Sequence, residues 1–191
     1  MGHSQAGKTE NRERILAEAS RQVRKNGLES VSVGELMKSV GLTHGGFYGH
    51  FSSRAALLAE ALARALDDGQ KHAKRQEHTT GQENQTGDLP GFARSYLSRT
   101  HRDAPESGCA IAALAAEAGR AAPECRDVMS GHVDAFIGAI SQMLDDDREK
   151  AMVAVSAMVG ALALARVATS AERSDAILKA VREHMRTLAT D

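Results

Sequence analysis

Apolar positions recur at three- and four-residue intervals along most of this chain, and no segment reads convincingly as a strand. Ile15, Leu16, Ala19 and Val23 make one stripe, with Arg12, Arg14, Arg21 and Arg24 on the polar side, predicting a helix from about Glu10 to Asn26. Thr9 is its expected N-cap, and Gly27 followed by Leu28 is its expected left-handed stop. Ser32 and Glu35 then have capping-box spacing, and Val31 is placed to staple onto Leu36. This starts a short helix that runs to about Val40. Gly41 turns the chain, Thr43 caps again, Leu42 faces Phe47, and residues 44–50 are expected to form a second short helix. Two such helices joined by a glycine-containing turn are a helix-turn-helix.

Ser53 caps a longer helix with Leu57, Leu58, Ala61, Leu62, Ala65 and Leu66 on its buried side. Residues 69–88 are polar and read as a fraying helix end and a mobile loop. Further helices are expected near 89–101, 108–121, 124–144, 149–169 and 173–189, punctuated by Pro105, Gly108, Pro123 and Asp145–Asp147. The fold class is therefore all-α, with an N-terminal three-helix unit and a larger helical part behind it. The expected divisions are a disordered tail over 1–8, a helix-turn-helix domain over 9–56 and a second domain over 57–191.

Composition strengthens this picture. Aromatics are 3% and alanine, the strongest helix former, is abundant. Net charge is −1, which argues against a protein that coats nucleic acid indiscriminately. Charge is uneven, however: residues 1–56 hold eight Lys/Arg against five acids, and the remainder is net acidic. A mildly basic head suits local contact with phosphate. Cys109 and Cys125 form neither a CxxC pair nor a disulfide framework. No apolar stretch is read as reaching the ~18 residues that span a bilayer, and no signal or lipidation pattern is read at the N-terminus. The expectation is a cytoplasmic protein without cofactor or metal.

From Arg12 to Leu58 the chain resembles the DNA-binding domain of the TetR/AcrR family of repressors. The residues that carry the likeness are Ile15-Leu16, Gly27-Leu28, Ser32-Val33 with Leu36, Gly41-Leu42-Thr43 and above all Gly45-Gly46-Phe47-Tyr48-Gly49-His50-Phe51, followed by Ser53-Arg54 and Leu57-Leu58. Beyond residue 89 the likeness thins, although Ser95-Tyr96-Leu97 and Gly108 to Leu114 resemble one branch of the family. The resemblance implies a homodimeric repressor whose second domain binds a small-molecule effector and dimerises. It would present two recognition helices to a double-stranded, pseudo-palindromic operator, ~34–36 Å apart. His44 opens the recognition helix and is placed to meet a base edge; the plain alternative is a solvated polar residue. Gly45, Gly46 and Gly49 would allow close backbone approach, or simply confer flexibility. Tyr48 and His50 match the family's phosphate contacts, with Ser32, Thr43 and Arg54 as further candidates. The plain alternatives are a core tyrosine and a solvated helix start.

In the second domain an effector pocket is expected among Phe92, Tyr96, Cys109, Leu114, Glu117, Met129, His132, Val133, Phe136, Met158 and Leu162, although helical apolar spacing more often means packed core. Glu117 and His132 are its polar members and need partners. Cys109, at a predicted helix start, suggests an alternative, a regulator that senses oxidants or electrophiles. Met152, Val155, Val159, Ile177, Leu178, Val181 and Met185 lie on the two last helices, which by resemblance pair with their copies across a dimer. Two competing classes remain. An enzyme is one, although no catalytic triad, HExxH or nucleotide loop can be placed. A helical interaction module, or a regulator that has lost operator binding, is the other, suggested by the glycine-rich recognition helix.

Overall fold

The computed structural model describes residues 5–79, 88–105 and 108–190. Among them every regular element is helical: α1 (Gln5–Asn26), α2 (Val33–Ser39), α3 (Arg54–Thr79), α4 (Leu89–Tyr96), α5 (Arg99–Asp103), α6 (Ala110–Ala118), α7 (Pro123–Ser141), α8 (Arg148–Val167) and α9 (Ala171–Leu188). Two short 3-10 segments, Leu28–Ser30 and His44–Gly49, complete the N-terminal part. The fold divides into two compact units, one of residues up to Asp68 with Leu114–Ser130, the other of Gly69–Ala113 with Gly131–Asp191.

In the first unit, Ile15, Ala19, Val23, Leu28, Leu36, Met37, Phe47, Leu57 and Leu62 are almost wholly removed from water. Each large side chain among them contributes ~1.5–3 kcal/mol by burial. Gly27 has φ 87°, the predicted left-handed stop, and its N–H donates to Val23 O at 2.9 Å. A Cβ there would lie 2.5 Å from a Glu117 carboxylate oxygen, so glycine is required twice over. Gly41, at φ 72°, turns the chain after α2 as expected.

Three local expectations change. Residues 5–8 belong to α1, so the expected tail is reduced to residues outside those described. Thr9 lies inside α1, its hydroxyl donating to Gln5 O at 3.1 Å, and is no cap. The expected helix over 44–50 is the 3-10 segment His44–Gly49. Three glycines in that stretch weaken α-helical propensity by up to ~1 kcal/mol each, which favours a tighter, shorter turn. Ser53 does cap α3, accepting from Ala56 N–H at 3.0 Å. That helix runs on to Thr79, through the first half of the polar stretch read as fraying; the rest of the expected loop, 80–87, lies outside the described residues.

In the second unit, the helix expected over 89–101 is two. Leu97 closes α4 and the Ser98 hydroxyl accepts from His101 N–H at 3.1 Å, starting α5. Asp88, Asp147 and Ser170 cap α4, α8 and α9 with their side chains. Asp145 and Asp146 hold left-handed φ of 52° and 63° ahead of α8, a region Asp enters more readily than most side chains. By length and composition α8 could cross a membrane, with mean hydropathy 1.6 over its most apolar window, contrary to the reading of the sequence. It instead packs Ala151, Ala154, Val155, Met158, Ala161, Leu162 and Ala165 into the core of this unit. α9 lies against α8, and the buried Ser174 hydroxyl fastens its start by donating to Ala165 O at 2.7 Å.

Candidate functional site

Most arginines of the basic head hold the fold. Arg12 bonds both Glu60 carboxylate oxygens at 2.6 Å and lies 4.7 Å above the Phe51 ring. Arg14 donates to Val40 O at 2.6 Å, Arg24 donates to Ala65 O, and Arg21 pairs with Glu18. The positive head is therefore less available to phosphate than its count suggests.

Most of the segment His44–Gly49 is exposed to solvent. Phe47 alone points inward, 1% exposed, with its ring stacked on Phe51 at 5.7 Å. Tyr48 stands 70% exposed, its ring edge-on to Phe47 at 5.2 Å. It is thus no core tyrosine. His44, Gly45, Gly46 and Gly49 are exposed beside it. Nothing in the described protein demands these glycines: a Cβ at Gly45 or Gly49 would meet no atom within 4 Å, and at Gly46 only ordinary contacts. Their φ values are not positive.

Ser32 and Thr43 occupy N-cap positions with extended backbone, yet neither hydroxyl makes the expected cap bond. The predicted capping box at Ser32 does not form; both hydroxyls lie on exposed residues. Arg54 is exposed and anchored by its Nε, which donates to Val31 O at 3.1 Å. His50 is half-buried, and its Nδ1 is enclosed without a hydrogen-bond partner. Burial, with the nearby Lys8 and Arg12 charges, holds its pKa below the usual histidine value, so it is neutral at pH 7.

The expected effector residues separate into two groups. Leu114, Glu117 and Met129 belong to the first unit. Glu117 is no pocket wall: its carboxylate accepts the Leu28 N–H at 2.7 Å, giving a backbone donor its partner. Sequence reasoning foresaw that Glu117 needed a partner but sought it in the wrong place. The remaining members lie in the second unit, where Phe92, Tyr96 and Phe136 form a triangle of rings with centroids 5.7–5.8 Å apart. Met158 and Leu162 are fully buried in the same core, and Phe92, Cys109, His132, Val133 and Phe136 are half-buried.

Two residues that the sequence reading passed over complete this cluster. His101 stands edge-on to Tyr96 at 4.8 Å. Its Nδ1 lies 2.6 Å from Tyr96 O, and its Nε2 accepts the Cys109 N–H at 2.8 Å. These bonds assign the neutral tautomer with the proton on Nδ1, and burial lowers the His101 pKa accordingly. A Cβ at Gly108 would come within 2.6 Å of that imidazole. Arg166, from the apolar helix α8, donates by Nε to Arg102 O at 3.1 Å and by Nη2 to His101 O at 3.2 Å. A lone arginine within a run of alanine, leucine and valine was the available signal. Cys125, by contrast, is fully buried in the first unit, and burial raises its pKa. Two open grooves of about 620 and 420 Å³ also lie on the second unit; one runs beside α9 from Leu97 to Arg182, and the other has Arg102, Arg166 and Ser174 in its walls.

Of the residues expected at a dimer interface, Val155, Leu178 and Met185 are buried in the core of the second unit. Met152 is 43% exposed, and Val159, Ile177 and Val181 are half-buried. The large bare apolar side chains on α8 are Met152, Val153, Leu164 and Val167. A single chain's helical periodicity does not distinguish the face of α8 turned to its own core from the one left outside.

Residues 15–61 match the family model of the bacterial regulatory proteins of the tetR family. No curated protein sequence matches the chain. Solved structures that share its fold include E. coli NemR in its reduced form, at 23% identity and TM-score 0.68 over 93% of this chain and 96% of that one. SCO4454, a TetR-family transcriptional regulator from Streptomyces coelicolor, is 21% identical with TM-score 0.69, over 95% and 97% of the two chains. The multidrug binding protein EbrR complexed with proflavin is 20% identical with TM-score 0.68, over 93% and 99%.

Proposed function

We propose that the chain, whose residues 15–61 match the tetR family model, is a DNA-binding transcriptional regulator: a cytoplasmic, homodimeric repressor released from its operator by a small-molecule effector. The observation that carries operator binding is Tyr48, an aromatic side chain 70% bare and braced edge-on by a buried phenylalanine. Exposed glycines surround it whose absent side chains the protein itself does not need. That combination suits a surface on which a sugar-phosphate backbone lies close, with Tyr48 and the uncommitted Ser32 and Thr43 hydroxyls donating to phosphate. His50 contributes as a neutral donor, Arg54 as a cation, and His44 is the side chain placed to reach a base edge.

Pairing of two copies through Met152, Val153, Leu164 and Val167 would cover the apolar face of α8 and supply the two-fold symmetry of a palindromic site. Light scattering that returns a 20.3 kDa particle would refute it. The effector reading draws on the aromatic cluster around Tyr96 and on the relative crystallised with proflavin. A second reading has one specific observation behind it. Cys109 is half-exposed beside Tyr96 and Arg166, and one relative is described by its reduced form. In that version mild oxidant releases DNA from the wild type and not from Cys109→Ser.

The decisive experiment is a mobility shift on DNA flanking the protein's own gene. The wild type is expected to bind specifically, Tyr48→Ala to weaken binding to every sequence alike, and His44→Ala to relax preference at one half-site position. No shift of any fragment by the wild type would remove the regulator reading in favour of an interaction module.

A further inference from the structure

Two polar groups in the second unit lack what their chemistry requires. Arg166 uses Nε and Nη2 on main-chain carbonyls, but its Nη1 is enclosed without any hydrogen-bond partner. The Tyr96 hydroxyl is enclosed as well, with only the Cys109 thiol in reach, on a side chain that is only 9% exposed. The groups that bear on the Arg166 charge are Tyr96 and Cys109, and among the described residues no carboxylate pairs with it. Cys109 lies beside the Tyr96 hydroxyl. An enclosed guanidinium N–H without an acceptor is unfavourable even on a half-buried arginine, and so is an enclosed hydroxyl with only a thiol beside it. Both are donors, on α4 and α8, and the two side chains bear on one another electrostatically. What they lack in common is an acceptor, and what the arginine lacks is a negative charge.

We propose that Arg166 Nη1 and Tyr96 Oη hold the carboxylate of a small organic acid, whose apolar tail lies against Phe92 and Phe136. The half-buried rings of these two phenylalanines flank Tyr96 at 5.7 Å and supply the apolar wall that such a tail needs. His101 fixes the site's edge by holding the Cys109 N–H and the Tyr96 carbonyl. This deepens the effector reading above and rests on it only for the consequence to DNA binding; occupancy of the site stands apart.

The test is calorimetric titration of the full chain with sodium benzoate and sodium octanoate, and with benzamide as a neutral match for benzoate. At least one carboxylate is expected to bind, with benzamide roughly tenfold weaker or undetectable. Tyr96→Phe removes a hydroxyl whose one internal neighbour is the Cys109 thiol, so it should fold and lose about tenfold in carboxylate affinity. Arg166→Gln should abolish binding; if it does not fold, Tyr96→Phe decides alone. Failure of both carboxylates to bind, equal binding of benzamide, or unchanged affinity in Tyr96→Phe overturns the site. Carboxylate binding that passes these controls but leaves operator affinity unchanged supports the site and removes the effector reading.

Discussion

The His44–Gly49 segment and the aromatic cluster of the second unit use the same residue types to opposite ends. Each has a tyrosine, a histidine and glycine beside one another. In the first, Tyr48 is bare and its neighbouring glycines face open space. In the second, Tyr96 is buried with an enclosed hydroxyl, and Gly108 is closely covered by His101. The polar groups of the first region are open to solvent, and those of the second are enclosed. An interior must satisfy its own polar groups, whereas a docking surface leaves that to its partner.

Glycine replacement gives the largest expected separation. Gly108→Ala forces a methyl group against the His101 ring and Ala104 O, and Gly27→Ala adds a left-handed φ to a collision with Glu117. Each should lower stability by ~1–3 kcal/mol, read from denaturant midpoints. Gly45→Ala and Gly49→Ala meet nothing and should leave stability equal or raise it by up to ~1 kcal/mol, while weakening DNA binding. Equal stability of Gly108→Ala and Gly45→Ala would break the contrast.

Removing each tyrosine hydroxyl has a smaller effect and sharpens it. Tyr96→Phe takes away an enclosed hydroxyl with only the Cys109 thiol in reach and should stabilise the ligand-free protein by ~1 kcal/mol. Tyr48→Phe changes only solvated surface and should stay within ~0.5 kcal/mol. A destabilised Tyr96→Phe would mean that the hydroxyl has a partner after all.

Much of this was legible in the sequence. Helical periodicity located most helices, because a stripe of Ile15, Ala19 and Val23 has one way to reach a core, but it merged α4 with α5 and stopped α3 well short of Thr79. Gly27 and Gly41 were legible because left-handed stops select glycine. The caps expected at Ser32 and Thr43 do not form, because a side chain that suits a cap is equally suited to solvent or a partner. Glu117 was misplaced because its partner, the Leu28 N–H, is 89 residues away in the chain. His101 and Arg166 were missed for the same reason: their meaning lies in carbonyls and rings on other helices, to which local spacing is blind.

The two histidines supply the smallest effect. Burial holds both His50 and His101 below the ordinary value of 6.5, so each is neutral in the folded protein at pH 7. Protonation is easier in the unfolded chain, which therefore binds more protons just below 6.5. The stability associated with the neutral rings is fully present above that value and is lost as pH falls through the folded-state pKa of each. For His101 the loss has a structural route, because a proton on Nε2 removes the acceptor for the Cys109 N–H. For His50, near the surface, protonation adds a charge beside Lys8 and Arg12 but breaks no bond. Urea midpoints measured across the weakly acidic range should therefore fall with pH, and His101→Gln should flatten that fall more than His50→Gln does. A steeper contribution from His50 would show that the open surface, and not the enclosed cluster, is the part of this protein that is sensitive to acid.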